Sequence, residues 1–318
     1  MDTKANKNAG VKKRINSRQI RRNIFFACLV ILPVIQFCIC YIYVNINSFV
    51  LAFQDYSIKI GGGGYVVKFA YLNNFKEAFN ILVDYRVMFL NSLQLFFWTT
   101  IVGLTLALLF SYYIYKKYPM SEVFRVVLFL PKIMSGVIFC LLYKQITNGV
   151  YKYVMDALFD MKVQALLYNQ DTALGAVLFF TVWIGFGVNV LMFSGSMSGI
   201  DESIVESAQL DGANTIQEFI YITVPMIWPT FVSFLTINFA AIFTDQMHLH
   251  TFYGTSTGIQ NLETFGYYLY VKSSQAELVN SEPTFSVLAA MGLMMTAVML
   301  PLTITLRKCL RKFGPSVD

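Results

Sequence analysis

Long apolar stretches alternate with shorter polar segments along the whole chain. Six of them reach the length of about 20 mostly apolar residues that a helix needs to cross a bilayer. They cover roughly residues 24–44, 89–115, 123–146, 173–194, 224–244 and 284–306. The first is too long for a signal peptide and no small-residue cleavage pattern follows it, so we expect a retained helix. The pattern therefore predicts an all-α membrane protein with six transmembrane helices.

Composition excludes a soluble globule. Of the 318 residues, 56% are hydrophobic and 13% are charged, whereas a soluble domain has about 25% charged residues. The net charge of +6 could indicate nucleic-acid binding, but the positive charge lies beside the predicted spans, which favours a role in membrane topology. The five cysteines show no CxxC spacing, so we expect packing residues rather than disulfides or a metal site.

Basic residues predict the orientation, because cytoplasmic segments carry an excess of Lys and Arg. They are Lys4, Lys7, Lys12, Lys13, Arg14, Arg18, Arg21 and Arg22 before the first span, Lys116, Lys117 and Arg125 after the second, and Arg307, Lys308, Arg311 and Lys312 after the last. We therefore expect a cytoplasmic N-terminus (1–23), a first helix with an external loop (24–88), a five-helix core (89–306) and a cytoplasmic tail (307–318). Within the external loop, the run Gly61–Gly64 predicts a flexible turn; no GK[ST] follows it, so it is not a phosphate loop.

The segment 195–222, here called the acidic loop, falls on the cytoplasmic side but has no Lys or Arg. Its acidic residues are Asp201, Glu202, Glu206, Asp211 and Glu218. Acidic residues have little effect on orientation, so the topology stands. The loop is either a solvated face or a docking surface for another protein.

Two short helices are predicted within the acidic loop. Ser203 and Glu206 have the spacing of a capping box, with Asp201 as an alternative cap. Gly212 permits the left-handed backbone that ends a helix, and Thr215 with Glu218 predicts a second capping box. Neither helix would be stable alone in water, so each needs a packing partner.

The acidic loop resembles the EAA loop of permeases of ATP-binding-cassette (ABC) importers. The matching residues are Glu206-Ser207-Ala208, Gly212, Ile222, Val224 and Pro225, at the family's spacing throughout. The stretch from Leu210 to Asn214 is similar to the carbohydrate-importer version, of the maltose permease type. Leu130-Pro131 with Ser135, Trp183 to Phe186 and Thr264 to Tyr270 are similar to other family segments, so the resemblance covers about residues 85–310.

Two departures from the family pattern stand out. Asp201-Glu202 occupies the place of Pro-Lys before the motif, so we expect contacts at that end of the loop to differ from the family's. A Thr-x-Gly-Gly-Pro segment is reduced to Thr251-Phe252-Tyr253-Gly254, so the family's external contacts are not carried over to this segment.

The resemblance implies a type I ABC importer permease fold in which the EAA loop is a coupling helix held in a cleft of a cytoplasmic ATPase subunit. The ATPase-coupling residues would be Glu206, Ser207, Ala208, Asp211, Gly212, Ala213 and Pro225. Glu206 would be a charge-assisted acceptor, and Gly212 would allow close approach; both could instead be simple helix caps. The implied partners are a second permease subunit, two ABC ATPase subunits and an extracellular solute-binding protein, in a bacterial plasma membrane.

The same resemblance implies a non-catalytic subunit that translocates a sugar or oligosaccharide. The chain has no Walker A sequence, so ATP and Mg would be used by the partner ATPases and no cofactor is expected on this chain. Polar and aromatic groups within the spans are the pathway candidates: Lys132, Trp183, Gly185, Phe186, Asn189, Asn238 and Asp245. Lys132 could instead snorkel or pair with a carboxylate, and Trp183 could be plain packing. His248 and His250 are given no chemistry, and no metal site is expected.

Three other functions compete with this one. A stand-alone secondary transporter predicts inverted repeats and intramembrane carboxylate pairs, and neither is evident in the sequence. An intramembrane enzyme predicts motifs such as HExxH or GxSG, which are absent. Within the importer family, glycerol phosphate or another polyol is the alternative substrate.

Overall fold

The structure is a computed structural model, and it describes residues 17–58, 64–255, 262–276 and 283–315. The basic residues from Lys4 to Arg14 lie outside the described residues, as do Gly61 to Gly63 of the glycine run.

Helices make up most of the described chain. They are α1 (Ser17–Phe37), α2 (Val44–Ala52), α3 (Asn73–Asp84), α4 (Arg86–Tyr115), α5 (Ser121–Ile133), α6 (Gly136–Gln145), α7 (Tyr151–Phe159), α8 (Ala173–Met197), α9 (Glu202–Leu210), α10 (Thr215–Glu218), α11 (Val224–Met226), α12 (Trp228–Ala240), α13 (Leu249–Tyr253), α14 (Phe265–Gln275) and α15 (Phe285–Phe313). Short π-helical segments at Cys38–Tyr43, Ile146–Val150 and Phe219–Thr223 join consecutive helices. A two-stranded antiparallel hairpin pairs β1 (Gln54–Ile58) with β2 (Tyr65–Phe69). The prediction of a helical fold is confirmed, with this hairpin as an unpredicted addition.

The chain divides into two units. The first ends at Leu51 and consists of α1, a π-helical segment and nearly all of α2. The second begins at Ala52 and contains the hairpin and helices α3 to α15. The features described below belong to the second unit.

Four unbroken helical stretches are long and apolar enough to cross a membrane. They are Arg21–Ala52, Arg86–Tyr115, Ala173–Met197 and Phe285–Lys312. Two further candidates are bent pairs: Ser121–Ile133 with Gly136–Phe159 at 99°, and Thr215–Met226 with Trp228–Ala240 at 68°. Each bend has a local cause, because Pro131 precedes the extended Met134 in the first pair and prolines stand at the starts of α11 and α12 in the second. Counting each bent pair as one span gives up to six spans in the described chain.

Helix α8 is the centre of the helical packing. Leu104 and Ala107 of α4 are buried in one cluster with Val190 and Phe193 of α8. The Ser111 hydroxyl of α4 also donates a hydrogen bond to the Val190 carbonyl at 3.0 Å. Since serine bonds satisfy backbone groups across helices in a bilayer, α4 and α8 are joined by both packing and polar contact.

Helix α5 approaches α8 closely at Gly187. A Cβ atom at that position would overlap the backbone carbonyl of Leu128. Only glycine lets the backbones of α5 and α8 come this close. Small residues are common where membrane helices cross.

The start of α14 holds the segment after α12 in place. The Phe265 amide donates to the Ser92 hydroxyl of α4 at 2.9 Å. A Cβ at Gly266 would overlap the backbone of Asp245. These contacts place Asp245 beside the helical core, where it contributes to a polar cavity.

Candidate functional site

The first helix of the acidic loop is capped by Asp201. Its carboxylate accepts hydrogen bonds from the Ser203 amide at 3.0 Å and the Ser203 hydroxyl at 2.9 Å. These bonds, the backbone one above all, lower the pKa of Asp201 below its ordinary value. The predicted Ser203–Glu206 capping box is wrong, and the alternative cap, Asp201, is correct. Glu206 therefore takes no part in the cap and is exposed on α9.

Gly212 makes the turn between α9 and α10. Its φ of +86° lies in the left-handed region, as the sequence predicts for a helix-ending glycine. The Ala213 amide donates to the Ala208 carbonyl at 3.0 Å and closes the turn. No described residue lies within 4 Å of the position that a Cβ atom at Gly212 would take, so this side of the turn is open in the part of the chain that the structure describes.

The second helix begins with a capping box formed by Asn214 and Gln217. Each side chain accepts a hydrogen bond from the other residue's backbone amide, both at 2.9 Å. The predicted box of Thr215 and Glu218 is therefore wrong by one residue. Asparagine ranks above threonine as an N-cap, and the shift leaves the Glu218 carboxylate out of the cap.

Glu218 is buried, with 2% of its surface exposed. The Lys116 ammonium lies 2.5 Å from one carboxylate oxygen, and the Tyr112 hydroxyl lies 3.2 Å from the same oxygen. The Gln209 amide donates to the other oxygen at 3.3 Å. Sequence reasoning counted Glu218 with the other acidic residues and missed this cluster, because Tyr112 is 106 positions away.

The remaining surface of the acidic loop is open. Every acidic side chain of the loop except Glu218 is exposed. Large apolar side chains are exposed among them, with Leu210 at 88%, Ile216 at 69% and Tyr221 at 75%. An exposed surface that mixes apolar and acidic groups is typical of a protein-binding site.

The structure brings five of the predicted pathway residues into one inner polar cavity, defined by its walls from α4, α8, α12 and the segment 241–247. These five residues are Gly185, Phe186, Asn189, Asn238 and Asp245. Sequence reasoning missed three further wall residues that carry hydroxyl groups: Thr99, Thr100 and Thr181. Threonine is common in spans for packing reasons, so no local signal distinguishes these three.

A second cavity contains Lys132 and adjoins the first. Its lining shares Thr181, Gly185, Asp245 and Met247 with the inner polar cavity. Lys132 lies just before the bend between α5 and α6, which brings its part of the chain to the cavity. His248, to which the sequence assigned no chemistry, also lines this cavity.

Trp183 lies apart from both polar cavities. It lines an apolar cavity with Trp98, Phe179 and Phe186. Its ring centroid lies 4.9 Å from that of Phe139. These contacts fit the packing alternative for Trp183. Among the described residues, no group of three His, Cys, Asp or Glu side chains is placed to hold a metal ion.

The chain is similar to curated bacterial proteins. The arabinooligosaccharides transport system permease protein AraP of Bacillus subtilis (strain 168) is 29% identical over 210 residues, 64% of each protein, so the match spans just under two thirds of that relative. The probable ABC transporter permease protein YurN of the same organism is 30% identical over 217 residues, which are 65% of this chain and 71% of YurN. The maltose/maltodextrin transport system permease protein MalF of Vibrio vulnificus (strain YJ016) is 28% identical over 54% of this chain and 32% of MalF. No protein-family model matches the chain.

Solved structures share the fold. A crystal structure of a bacterial ABC transporter involved in the import of the acidic polysaccharide alginate matches with a TM-score of 0.71 at 20% identity, covering 93% of this chain and 98% of that chain. A bacterial alginate ABC transporter in complex with alginate pentasaccharide-bound periplasmic protein matches with a TM-score of 0.72 at 18% identity, covering 92% and 96%.

Proposed function

The chain belongs to the permease family of ABC transporters, and from that premise we propose that it is one membrane subunit of an importer for a sugar or oligosaccharide. The observation that carries the proposal is the acidic loop, whose motif residues Glu206, Ser207 and Gly212 are exposed. The relatives named for arabinooligosaccharides and maltodextrins favour an oligosaccharide over glycerol phosphate or another polyol.

The acidic loop is the proposed docking site for an ABC ATPase subunit. The Asp201 cap and the Gly212 turn hold α9 in shape without using Glu206. The open space beside Gly212 lets a partner approach the backbone, and the exposed carboxylate of Glu206 can accept hydrogen bonds from it. ATP binding and hydrolysis, with Mg, take place on two such partner subunits, and this chain has no catalytic role.

The two adjoining polar cavities are the proposed part of the sugar pathway on this chain. Amides of Asn189 and Asn238 and hydroxyls of threonines suit sugar hydroxyl groups, and aromatic rings suit sugar faces. Asp245 adds a carboxyl group where the two cavities meet, and Lys132 adds an amine in the second cavity. Trp183 stays outside this set because its contacts are apolar.

The remaining partners follow from the same proposal. A second permease subunit forms the other half of the pore, and an extracellular solute-binding protein delivers the sugar. The clustered Lys and Arg residues support an orientation in which both termini and the acidic loop are in the bacterial cytoplasm.

Affinity purification from native membranes, with mass spectrometry of the recovered proteins, tests the proposal. We expect a second permease, an ABC ATPase and, with ligand present, a solute-binding protein. The same preparation in liposomes should take up arabino- or malto-oligosaccharides with ATP inside. Recovery of the chain alone, from a detergent that keeps other importers intact, would contradict the proposal, and uptake of glycerol phosphate instead of oligosaccharides would contradict its substrate.

A further inference from the structure

The buried carboxylate of Glu218 joins three helices. It lies on α10, it accepts from Gln209 of α9, and it meets Tyr112 and Lys116 at the end of α4. The Tyr112 hydroxyl is also 3.1 Å from the Thr215 carbonyl at the start of α10. Both helices of the acidic loop are therefore tied to one membrane helix at a single point.

This cluster is costly to build, which points to a specific use. Burying the Glu218 carboxylate and partly burying the Lys116 ammonium loses hydration, and an apolar pair of similar size is often as stable or more so. Here both oxygens of the carboxylate have partners, so its hydrogen-bonding capacity is satisfied. A satisfied buried network of this kind fixes geometry more strongly than apolar packing, which tolerates sliding.

Helix α4 leads from this cluster to the inner polar cavity. One turn before Lys116, the Tyr112 ring packs against Phe219 in a tilted arrangement, with ring centroids 4.8 Å apart. Further along α4, Ser111 is hydrogen-bonded to α8. Beyond it, Thr99, Thr100 and Gly103 of the same helix line the cavity. A displacement of the acidic loop would therefore move α4, which forms a wall of the inner polar cavity.

We infer that Tyr112, Lys116 and Glu218 form a latch that transmits movement of the acidic loop to α4 and so to the cavity wall. The inference rests on the proposed function, because the movement comes from the ATPase partner. These three are positioning residues: they contact neither the sugar nor ATP. Without the latch, the loop can still dock on the ATPase, but its movement is no longer passed to α4.

The test uses the complete importer in liposomes and measures solute taken up per ATP hydrolysed, on complexes isolated as assembled. Glu218→Gln keeps the shape and removes the charge, and we expect this ratio to fall about tenfold, within the range of ordinary coupling free energies. The double variant Lys116→Glu with Glu218→Lys restores the ion pair with its charges exchanged. The new ammonium at position 218 keeps its partners, because the Gln209 amide can rotate to present its oxygen and the Tyr112 hydroxyl can accept a hydrogen bond. The double variant should reach roughly half or more of the wild-type ratio of solute uptake to ATP hydrolysis, because the reversed ion pair replaces the lost interaction.

Glu122→Gln is the matched control. Glu122 forms an ion pair with Arg125 at 3.7 Å, but its side chain is 79% exposed, and such pairs contribute little. The Glu122→Gln importer should take up as much solute per ATP hydrolysed as the wild type. A Glu218→Gln ratio within about twofold of wild type, or a double variant no better than the single one, would overturn the latch.

If the Glu218→Gln chain does not assemble into the importer, a second variant tests the same inference. Tyr112→Phe removes one oxygen and leaves the ion pair, and we expect a loss of about threefold in the ratio from the missing hydrogen bond. An unchanged ratio in that variant would also overturn the inference. A wild-type preparation without an ATPase or without uptake contradicts the proposed function itself, whereas normal wild-type coupling with unaffected variants contradicts only the latch.

Discussion

Helices α9 and α10 stand on either side of the Gly212 turn and are held in opposite ways. Helix α9 is fixed locally, by the Asp201 cap and by burial of Val205, and its other side chains are largely exposed. Helix α10 is shorter, and its buried Glu218 is tied to α4. The difference shows that one acidic loop has an exposed face on α9 and a face on α10 that is fixed to its own membrane helix α4.

The largest expected effect is at the turn itself. Gly212→Asp should abolish transport-linked ATP hydrolysis, because its side chain would fill the space that the partner needs. The left-handed backbone at Gly212 costs a side chain about 1–2 kcal/mol, at the lower end for aspartate, so we expect the variant chain to insert and assemble. Gly212→Ala, with a smaller side chain, should give a partial loss. Wild-type hydrolysis in the Asp variant of an assembled complex would show that the exposed face of the acidic loop is not the docking face.

Glu206→Gln should come next. We expect sugar uptake to fall about tenfold, because a charge-assisted hydrogen bond to the ATPase is lost, while the melting temperature stays unchanged. Glu202→Gln is the control, since Glu202 lies one turn earlier on the same face of α9. Equal losses in the two variants would mean that only the overall charge of α9 matters.

Gly187→Ala should lower the stability of the folded chain, whereas the two preceding predictions concern coupling to ATP hydrolysis. The new Cβ would overlap the Leu128 carbonyl between α5 and α8, and such overpacking costs about 1–3 kcal/mol. Thermal unfolding of the purified chain in detergent measures the cost. Gly175→Ala on the same helix is the matched control, because a Cβ there meets nothing within 4 Å. A stability equal to that control would contradict the close approach of α5 and α8.

The smallest effect concerns the cap of α9. Hydrogen bonds from Ser203 lower the pKa of the Asp201 carboxyl, so the cap stabilises α9 above the ordinary aspartate pKa of about 3.9 and weakens as pH falls through the lower, folded value. Hydrogen exchange of the first-turn amides should therefore show α9 opening more readily in acid. Asp201→Asn keeps a cap without the charge and should show no such trend; an equal trend in both proteins would contradict the assignment.

Local features of the loop are predictable from sequence, and long-range ones are not. The turn at Gly212 follows from one residue type at one spacing, and its φ agrees. The predicted capping boxes were wrong because the helices begin earlier than predicted: Asp201 and Asn214 are the N-caps, so Ser203 and Thr215 already lie inside the helices. The environment of Glu218 depends on Tyr112 and Lys116 of a distant helix, and nothing near Glu218 in sequence indicates them.

The same division holds for the membrane helices. Their apolar stretches are evident from hydropathy, and the prolines within them are visible. Pro131 marks the place of the 99° bend, but most of the residues that line the cavity with Lys132 come from α8 and the segment 245–248, which are distant in sequence. Trp183 was predicted from the same stretch as Gly185 and Phe186, yet it lines an apolar cavity, and the sequence alone left pathway and packing roles open for it.

Photo-crosslinking from Leu210 in native membranes tests the central claim most directly. Leu210 lies on the exposed face of α9, with 88% of its surface exposed, and a crosslinker there should capture an ABC ATPase subunit. The same group at Leu158 of α7, which is 72% exposed, should capture none. An ATPase adduct from Leu210 alone is the predicted result; no ATPase adduct from Leu210 in membranes that support uptake would contradict the claim.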